Sequence, residues 1–594
     1  MYCKCIEKAV FNGIMNLKGG HVMKYLSFKN AYDKFPKKQI SFDESLILSG
    51  ISEIVERLSK YHNGILAIEL YPGTDVKFIY ENIIRHIPTS LTLNIESAKK
   101  SYKDLAYAFD HQLTDDRVFG KMGYASIEDF YNLDKIADIR KQLESAPGLK
   151  IVYGFGSTMI SYDHLIYFDI TRWEIQLRFR QGMPNFTADN PREDTLRKFK
   201  RGYFLEWRVA DKIKQAHYLK SDYLVSSERP DQITMIPLDA FITGLDLLTS
   251  SPFRLIPYFD PGVWGGQWMK EVCDLPENGS NYAWSFDGVP EENALAFSFG
   301  HKTFVFPAIN LVFFRPVELL GERVYGRFGK EFPIRFDFLD TMEGGNLSLQ
   351  VHPLTEYIQN TFGMNYTQDE SYYILDASDD SVVYLGVKPG IDPHHLIDSL
   401  EKANQGEALF DDQAFINSFP VKKHDHLLIP AGTIHCSGKN TMVLEISATP
   451  YIFTFKLWDW GRLGLDGLPR PVHIQHGKKV IQYDRDTEWV KKNLINRFET
   501  IRENEIRTGL HEREFIETRR LSTTTKLTTQ TNGSVNVLNL VEGKAAIIES
   551  PEGKFEPFTV HYAETFIIPD GVKNYSIRSA FEGEMIMVIK AFVR

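Results

Sequence analysis

The chain has 594 residues, a formal net charge of −10 and 43% hydrophobic residues. That length predicts three or four domains at about 100 to 200 residues each. The negative charge argues against a nucleic-acid-binding protein, whose binding domain is usually basic. No apolar run approaches the roughly 18 residues of a membrane span. The four cysteines are too few for a disulfide framework and predict a cytoplasmic protein.

The first 22 residues do not resemble a signal peptide, because they lack an apolar stretch followed by a cleavage site. The sequence KGG at positions 18–20, shortly before Met23, can be encoded by a purine-rich run like a bacterial ribosome-binding site. We therefore expect Met23 to be the natural start and residues 1–22 to be a non-native leader. Mass spectrometry of natively expressed protein tests this.

Residues 23–240 combine short apolar runs with longer helix-periodic segments, which predicts an α/β domain. Strands are expected at 64–70, 149–154 and 164–169. The loop from Tyr71 to Asp75 and the carboxylate of Asp169 resemble a degenerate P-loop kinase-like domain. The phosphate-binding pattern GxxxxGK[ST] is absent, so a scaffolding or interaction role is the alternative. In that case Asp169 caps a helix, and Arg178 and Arg180 are surface charges.

Short strand-like runs with many Gly, Pro and aromatic residues follow from about residue 250 to 482, interrupted by helical signals at 391–420. They predict an all-β barrel or sandwich with a helical insertion. Residues 483–519 are charged and predict a helical connector, and residues 520–594 return to alternating strands. The predicted fold is therefore a multidomain chain, with an α/β domain before two β-barrels.

Four candidate metal ligands lie in the first of these β regions. Gln350 and His352 share one face of a strand in LSLQVHP (347–353), because side chains alternate along a strand. Glu370 precedes an apolar strand, and the Pro-Gly turn in PAGTIH presents His435 at the start of another. Two imidazoles, a carboxylate and an amide suit a borderline ion such as Zn²⁺. From spacing alone, a solvated polar strand face is as good an interpretation as a metal site.

The same segments, in this order, resemble type I phosphomannose isomerase, a zinc-dependent enzyme of the cupin superfamily. Trp264 to Gly266, Phe332 to Asp340 and Phe455 to Arg462 resemble flanking segments of that family. The resemblance covers about residues 250–594. It implies a catalytic metal-binding cupin at 250–482 and a metal-free cupin at 520–594, in which Asn574 stands where the first has a histidine.

The resemblance also implies a reaction. Mannose 6-phosphate and fructose 6-phosphate would be interconverted through a cis-enediol, with one zinc ion per chain held by Gln350, His352, Glu370 and His435. The acid/base carboxylate would be Glu445, for which a solvated strand residue is the alternative. The partner would be a small sugar phosphate, with no nucleic acid and no membrane.

The resemblance breaks down at several basic residues. Asp337 and Gln368 stand where the family typically has lysine, and the catalytic position Lys456 is an arginine in the family. Arg335 lies on the same strand face as Asp337 and is the expected substitute in binding the substrate. Ser348 matches the residue that contacts the substrate's phosphate in the family. The alternative, that this serine only fills space in the strand, is equally compatible with the sequence.

These departures leave three alternatives besides the sugar-phosphate isomerase. The substrate could be another sugar phosphate or a sugar without phosphate, because removing cations weakens binding of an anion. The chain could be a non-catalytic sugar-binding or regulatory cupin protein with a kinase-like domain. The N-terminal domain could itself be an active kinase, against which the absent phosphate-loop sequence argues. The sequence predicts neither the sugar nor the oligomeric state.

Overall fold

The computed structural model describes residues 24–229, 232–449, 451–509 and 511–594. The predictions about residues 1–22 and about Met23 as the start lie outside the described residues. Across the described part, the strands form six sheets. No helix within these ranges has both the length and the apolar character needed to cross a bilayer.

Residues 48–237 supply a seven-stranded sheet. Its strands, in spatial order, are Leu48–Ser49, Thr234–Pro237, Tyr223–Ser226, His164–Asp169, Gly64–Leu70, Leu149–Gly154 and Leu91–Asn94. The last five are parallel, and Thr234–Pro237 joins their edge antiparallel. Leu66 and Ile68 belong to one core cluster and Ala67 to another, so the central strand is buried on both faces. The three strands predicted here are confirmed.

Helices accompany this sheet along the chain. They are Ile51–Leu58, Val76–Asn82, Tyr102–Leu113, Leu133–Ser145, Arg172–Arg180, Thr195–Arg201, Trp207–His217 and Leu238–Thr249. A π-helical turn, Gly202–Glu206, joins two of them and buries all five of its residues. Such turns interrupt regular helices at places with a specific structural role, and this one faces the β region described next.

Two antiparallel sheets form the first β region. The six-stranded sheet has the order His426–Ile429, Asp369–Ala377, Thr441–Ala448, Arg335–Asp340, Trp284–Gly288 and Tyr258–Asp260. The five-stranded sheet has the order Ile416–Pro420, Val382–Val387, His435–Ser437, Leu349–Val351 and Phe455–Trp458. The sheets face each other, because Glu370 of the first and His435 of the second approach to 2.7 Å.

The remaining α-helices lie between the strands of this region in the sequence or directly after them. They are Trp268–Val272, Ile309–Phe314, Pro316–Leu320, Glu322–Phe328, Thr355–Phe362, Pro393–Asn404, Asp412–Phe415, Ile474–Gly477 and Thr487–Asn493. The helix Pro393–Asn404 lies inside the predicted insertion at 391–420. A small sheet of Lys38–Gln39, Ala294–Phe299 and Lys302–Pro307 ties the start of the described chain to this region.

Two further antiparallel sheets pack face to face near the end of the chain. One has the order Glu499–Arg502, Glu505–Gly509, Ile516–Thr523, Ile586–Val593, Asn536–Glu542 and Thr565–Ile568. The other has the order Leu527–Gln530, Asn574–Ser579, Ala545–Glu549 and Phe558–His561. Their inward side chains form one core cluster. Asn574 begins its strand as His435 begins its own.

The prediction of a helical connector at 483–519 is wrong over most of its length. After the helix Thr487–Asn493, the segment forms strands that pair antiparallel with their neighbours. Its charges pair between neighbouring strands: Arg507 faces and pairs with Glu499, and Arg519 lies diagonally across from Glu505, 2.9 Å away. Opposite charges on facing strand positions stabilise a sheet, and such pairs cannot be read from local sequence.

Candidate metal centre

The four predicted ligands come from three strands and one turn. Gln350 lies within the strand Leu349–Val351 and His352 directly follows it. Glu370 is the second residue of Asp369–Ala377, and His435 is the first of His435–Ser437. Gln350 and His435 are cross-strand partners. The structure therefore brings the four side chains together at the middle of the facing sheets.

The turn before His435 depends on Gly432. Its φ is +89°, a conformation that L side chains rarely adopt. A Cβ at this position would lie 2.7 Å from the side chain of Gln482 and 2.9 Å from that of Leu354. The amide of Gly432 donates to the carbonyl of His352 at 2.9 Å. The turn thus fixes the two histidine-bearing segments relative to each other.

Glu370 lies between the two imidazoles. Its Oε2 is 3.0 Å from Nε2 of His352, and its Oε1 is 2.7 Å from Nε2 of His435. The amide nitrogen of Gln350 is 3.2 Å from Nε2 of His435. One ligand atom from each of His352, Glu370 and His435 can be chosen so that all lie within 4.8 Å of one another. All three side chains are fully buried.

Backbone carbonyls orient both imidazoles. Nδ1 of His352 is 2.9 Å from the carbonyl oxygen of Phe453, and Nδ1 of His435 is 2.9 Å from that of Thr433. A carbonyl only accepts, so each Nδ1 carries the proton and each Nε2 presents a lone pair to the centre. Gln368 adds a third support, because its amide nitrogen donates to Oε2 of Glu370 at 3.1 Å.

This donor set fits a divalent metal ion. Within the described residues, Nε2 of His352 and Oε1 of Glu370 are buried without a hydrogen-bond partner, which is costly unless a ligand satisfies them. Burial raises the pKa of Glu370, but the charge and hydrogen bonds of the two imidazoles in their protonated form lower it well below its usual range. A divalent ion would take the place of those protons and leave both imidazoles neutral. Two neutral imidazoles and an ionised carboxylate are typical zinc ligands. The oriented Nδ1 atoms match the outer hydrogen bonds found around metal-binding histidines.

A second carboxyl group lies beside the centre. Glu445 is the cross-strand partner of Asp337 and of Tyr372, so it lies on the same sheet face as Glu370. Burial, Glu370 and Asp337 together raise the pKa of Glu445 well above its usual range. Glu445 is 7% exposed, so the prediction of a solvated strand residue is wrong.

Arg335 and Asp337 lie side by side on the neighbouring strand. Burial raises the pKa of Asp337 to about 7, although Arg335 lowers it. The Arg335 guanidinium lies 5.7 Å from the centre of the Phe286 ring, and its Nε has no hydrogen-bond partner among the described residues. This side of the site therefore offers one cation and one titratable acid.

Ser348 and Lys456 lie towards a cluster of charges around Asp459. The Ser348 hydroxyl donates to Asp459 at 2.8 Å, and Asp459 pairs with Arg462 at 2.6 Å and Arg470 at 3.0 Å. Lys456 is the cross-strand partner of Gln350. Burial, with Arg470 as the largest charge effect, lowers the pKa of Lys456 to about 7. Cations are thus present near the site.

Sequence reasoning missed two members of this cluster and one neighbour. Asp459 lies within the segment Phe455 to Arg462 and Arg470 lies shortly after it, but nothing in their local sequence marks them as partners. Arg117 comes from the α/β part of the chain and lies 2.7 Å from Asp466. No sequence signal connects Arg117 with residues about 350 positions away.

The charged residues that bear on the kinase-like prediction pair with other residues of the chain. Asp169 accepts from Lys214 at 2.8 Å and from Asn310 at 2.8 Å. Asp169 does not cap the helix that follows; Thr171 does. Arg178 is buried and donates to backbone carbonyls, and Arg180 lies 2.7 Å from Asp260. The prediction of a surface charge is therefore wrong for Arg178, but it is confirmed for Arg180, which is exposed. The kinase-like prediction remains unconfirmed.

Comparison with known proteins gives two kinds of match. Residues 50–250 match the family described as Domain of unknown function (DUF8485). A protein named Probable mannose-6-phosphate isomerase GmuF, from Bacillus subtilis (strain 168), is 26% identical over 232 residues, which is 39% of this chain and 68% of that protein. Other mannose-6-phosphate isomerases match similar shares of this chain. About 40% of the chain is therefore homologous to mannose-6-phosphate isomerases.

Two solved structures are also similar to the chain. The mannose 6-phosphate isomerase from Bacillus subtilis covers 57% of this chain and 99% of its own, with 18% identity and a TM-score of 0.47. A zinc-bound mannose 6-phosphate isomerase covers 58% and 100%, with 13% identity and a TM-score of 0.45.

Proposed function

We propose that this protein is a metal-dependent aldose–ketose isomerase that interconverts mannose 6-phosphate and fructose 6-phosphate, with one zinc ion per chain. The observation that carries the proposal is the buried arrangement of His352, Glu370 and His435, with both imidazoles oriented by backbone carbonyls. The homology over about 40% of the chain supports the class of reaction.

Gln350, His352, Glu370 and His435 would hold the ion. A bound divalent ion would supply a Lewis acid for the oxygens on C1 and C2 of the sugar. The chain's own residues exclude bulk water, since every ligand side chain is buried. For Gln350 to act as a ligand, its amide oxygen rather than its nitrogen faces the centre, an assignment that hydrogen-bond networks decide.

Glu445 would move the proton between C1 and C2. An acid/base group works best when its pKa lies near the working pH. Burial and two neighbouring carboxyl groups raise the pKa of Glu445 above its usual range, which moves it in that direction. Arg335 would stabilise negative charge on the reacting part of the sugar, because it lies on the same strand face as Asp337, opposite Glu445.

The phosphate group would bind near Ser348 and Lys456. Arg462 and Arg470 add two cations beside them, both shared with Asp459. This arrangement would replace the lysines that the family carries at Asp337 and Gln368. A sugar without phosphate is the second candidate substrate. Asp337 is an acidic residue at a position where an anionic substrate would bind better beside a positively charged side chain.

The test is turnover of mannose 6-phosphate by purified protein, with metal content measured on the same sample. The control is a double variant, Gln350→Ala with His352→Ala. Turnover that is lost together with the metal in the double variant supports the isomerase. A wild-type protein that binds zinc but turns over neither mannose 6-phosphate nor unphosphorylated sugars would favour a non-catalytic sugar-binding protein. Turnover by protein that holds no divalent metal would refute the metal-dependent mechanism, and turnover with a different bound metal would refute only the assignment of zinc.

A further inference from the structure

We propose that the α/β domain positions the metal centre, and that Phe119 is the positioning residue through which it acts. This inference rests on the proposed function only in taking His352 and Glu370 as metal ligands. It gives a specific form to the scaffolding role that is one of the alternatives for this domain. A series of contacts connects the Phe119 ring to Phe453, and the backbone of Phe453 to two metal ligands.

The first step is the double contact between Phe453 and the ligands. Its carbonyl accepts from Nδ1 of His352 at 2.9 Å. Its amide donates to the side-chain oxygen of Gln368 at 3.1 Å, and Gln368 in turn donates to Glu370 at 3.1 Å. One residue thus supports two ligands with its two backbone groups. A shift of this backbone would disturb both the tautomer of His352 and the orientation of Glu370.

The second step is that Phe453 lies in a segment without regular backbone pairing. The strands Thr441–Ala448 and Phe455–Trp458 flank it, one in each of the facing sheets. Neither sheet ladder therefore fixes the peptide groups of Phe453. Its position therefore depends on side chains: on the two that hydrogen-bond its backbone and on those that pack against its ring.

The third step is that the α/β domain supplies one side of this packing, while Phe362 of the β region supplies another, with its ring centroid 5.1 Å from that of Phe453. The ring of Phe119 stacks on that of Phe453, with centroids 5.4 Å apart and planes at 12°. Two residues away, the hydroxyl of Tyr451 donates to the carbonyl of Val118 at 2.9 Å. The ring of Tyr451 also packs on Phe204 of the π-helical turn, with centroids 4.9 Å apart. The segment is thus held from the α/β side at two points.

The fourth step is that Phe119 is itself firmly held. Its amide donates to Asp116 at 2.7 Å, and its carbonyl accepts from the hydroxyl of Thr114 at 2.6 Å. Shortly after it, the amide of Met122 donates to the carbonyl of Phe362 at 2.8 Å. The Phe119 side chain is 1% exposed. A buried aromatic ring on a fixed loop transmits position rather than absorbing displacement.

The test measures zinc affinity rather than turnover. Zinc would be removed from the full-length protein, and the dissociation constant would be measured by competition with a chelator for wild type, Phe119→Ala and Phe119→Leu. Loss of a partner that supports a metal ligand typically weakens metal binding by about 10- to 100-fold. We expect a loss in this range for Phe119→Ala and a smaller loss for Phe119→Leu, which keeps most of the packed volume.

Phe130→Ala is the matched control. Phe130 is fully buried in the same domain and packs on Phe109, Phe155 and Phe186 rather than on the β region. The same volume is removed, so the melting temperature should fall in both alanine variants. Zinc affinity should fall only when Phe119 is changed. The d–d absorption spectrum of the cobalt-substituted protein should change in the same variant alone.

The outcomes separate this inference from the proposed function. Equal zinc affinity for wild type, Phe119→Ala and Phe119→Leu would overturn the inference and leave the proposed function intact. Equal weakening in Phe119→Ala and Phe130→Ala would also overturn it, because general destabilisation would then be the cause. If Phe119→Ala does not fold, Phe119→Leu decides by the same measurement. A wild-type protein that binds no divalent metal would refute both proposals.

Discussion

Replacing His352 with alanine should remove most of the stabilisation that zinc gives. A ligand that binds only the folded state at 100 times its dissociation constant stabilises it by about 2.7 kcal/mol. At about 2–4 °C per kcal/mol for a domain of 150–250 residues, the melting temperature should rise by roughly 5–10 °C. Loss of a residue that only supports a ligand weakens metal binding by up to about 100-fold, so loss of a ligand itself should weaken it at least as much. The same zinc concentration then gives at most about 0.4 kcal/mol, or roughly 1 °C.

The substitution also changes the metal-free protein. It removes the hydrogen bond from Nδ1 to Phe453, worth about 0.5–1.5 kcal/mol, and leaves the buried Glu370 carboxylate with one imidazole instead of two. A buried acceptor without its partner costs about 1–3 kcal/mol. The metal-free variant should therefore melt below metal-free wild type, in addition to losing the zinc effect.

The assay is thermal unfolding of chelator-treated protein, with and without added zinc. His426→Ala is the matched control, because His426 is equally buried in the same β region but makes no contact with Glu370. That variant should melt at a lower temperature yet keep the full zinc-dependent rise. The reasoning would be refuted if His352→Ala showed the wild-type rise, since zinc would then bind elsewhere.

Three more predictions concern chemistry and pH. Glu445→Gln should lower kcat for mannose 6-phosphate by about 10²- to 10⁴-fold with zinc content unchanged; an unaltered kcat would remove Glu445 from proton transfer. Burial and Arg470 lower the pKa of Lys456 to about 7. At pH values above about 7 the lysine loses its charge, so KM for the sugar phosphate should increase. Lys456→Arg, which stays charged, should abolish the rise, and a rise that persists would point to another group. Burial lowers the pKa of His426 to about 3 in the folded protein, whereas a histidine in the unfolded chain has a pKa of about 6.5. As the pH falls, the unfolded state therefore binds the proton first. The free energy of unfolding should then fall by about 1.4 kcal/mol per pH unit below about 6.5, and denaturant unfolding of His426→Gln should show a shallower fall; equal slopes would contradict this account.

The candidate ligands were predictable because local sequence determines where their side chains point. Alternation in LSLQVHP puts Gln350 and His352 on one strand face, and the turn at Gly432 requires a residue without a side chain. These constraints act within a few residues. The three predicted strands of the α/β sheet share this property, because short apolar runs bounded by turn residues form strands in most contexts.

The connector at 483–519 illustrates why other parts were not predictable. Its strands are stabilised by Glu–Arg pairs between neighbouring strands, such as Arg519 with Glu505. Charge-rich sequence of this kind also suits an exposed helix. The choice between helix and strand depends on the partner strand Ile516–Thr523, whose pairing is a tertiary contact.

By itself, the sequence determined the order of the α/β and β regions, the strands that carry Gln350 and His352, and the residue types of a metal site. Only the tertiary structure decided which backbone groups orient those ligands and which cations lie nearby. Phe453 and Phe119 meet across 334 positions of chain, and Arg117 reaches Asp466 in the same way. The physical reason is that side-chain alternation and turn geometry are local properties of the backbone. Packing and charge pairing depend on distance in space, which local sequence does not encode.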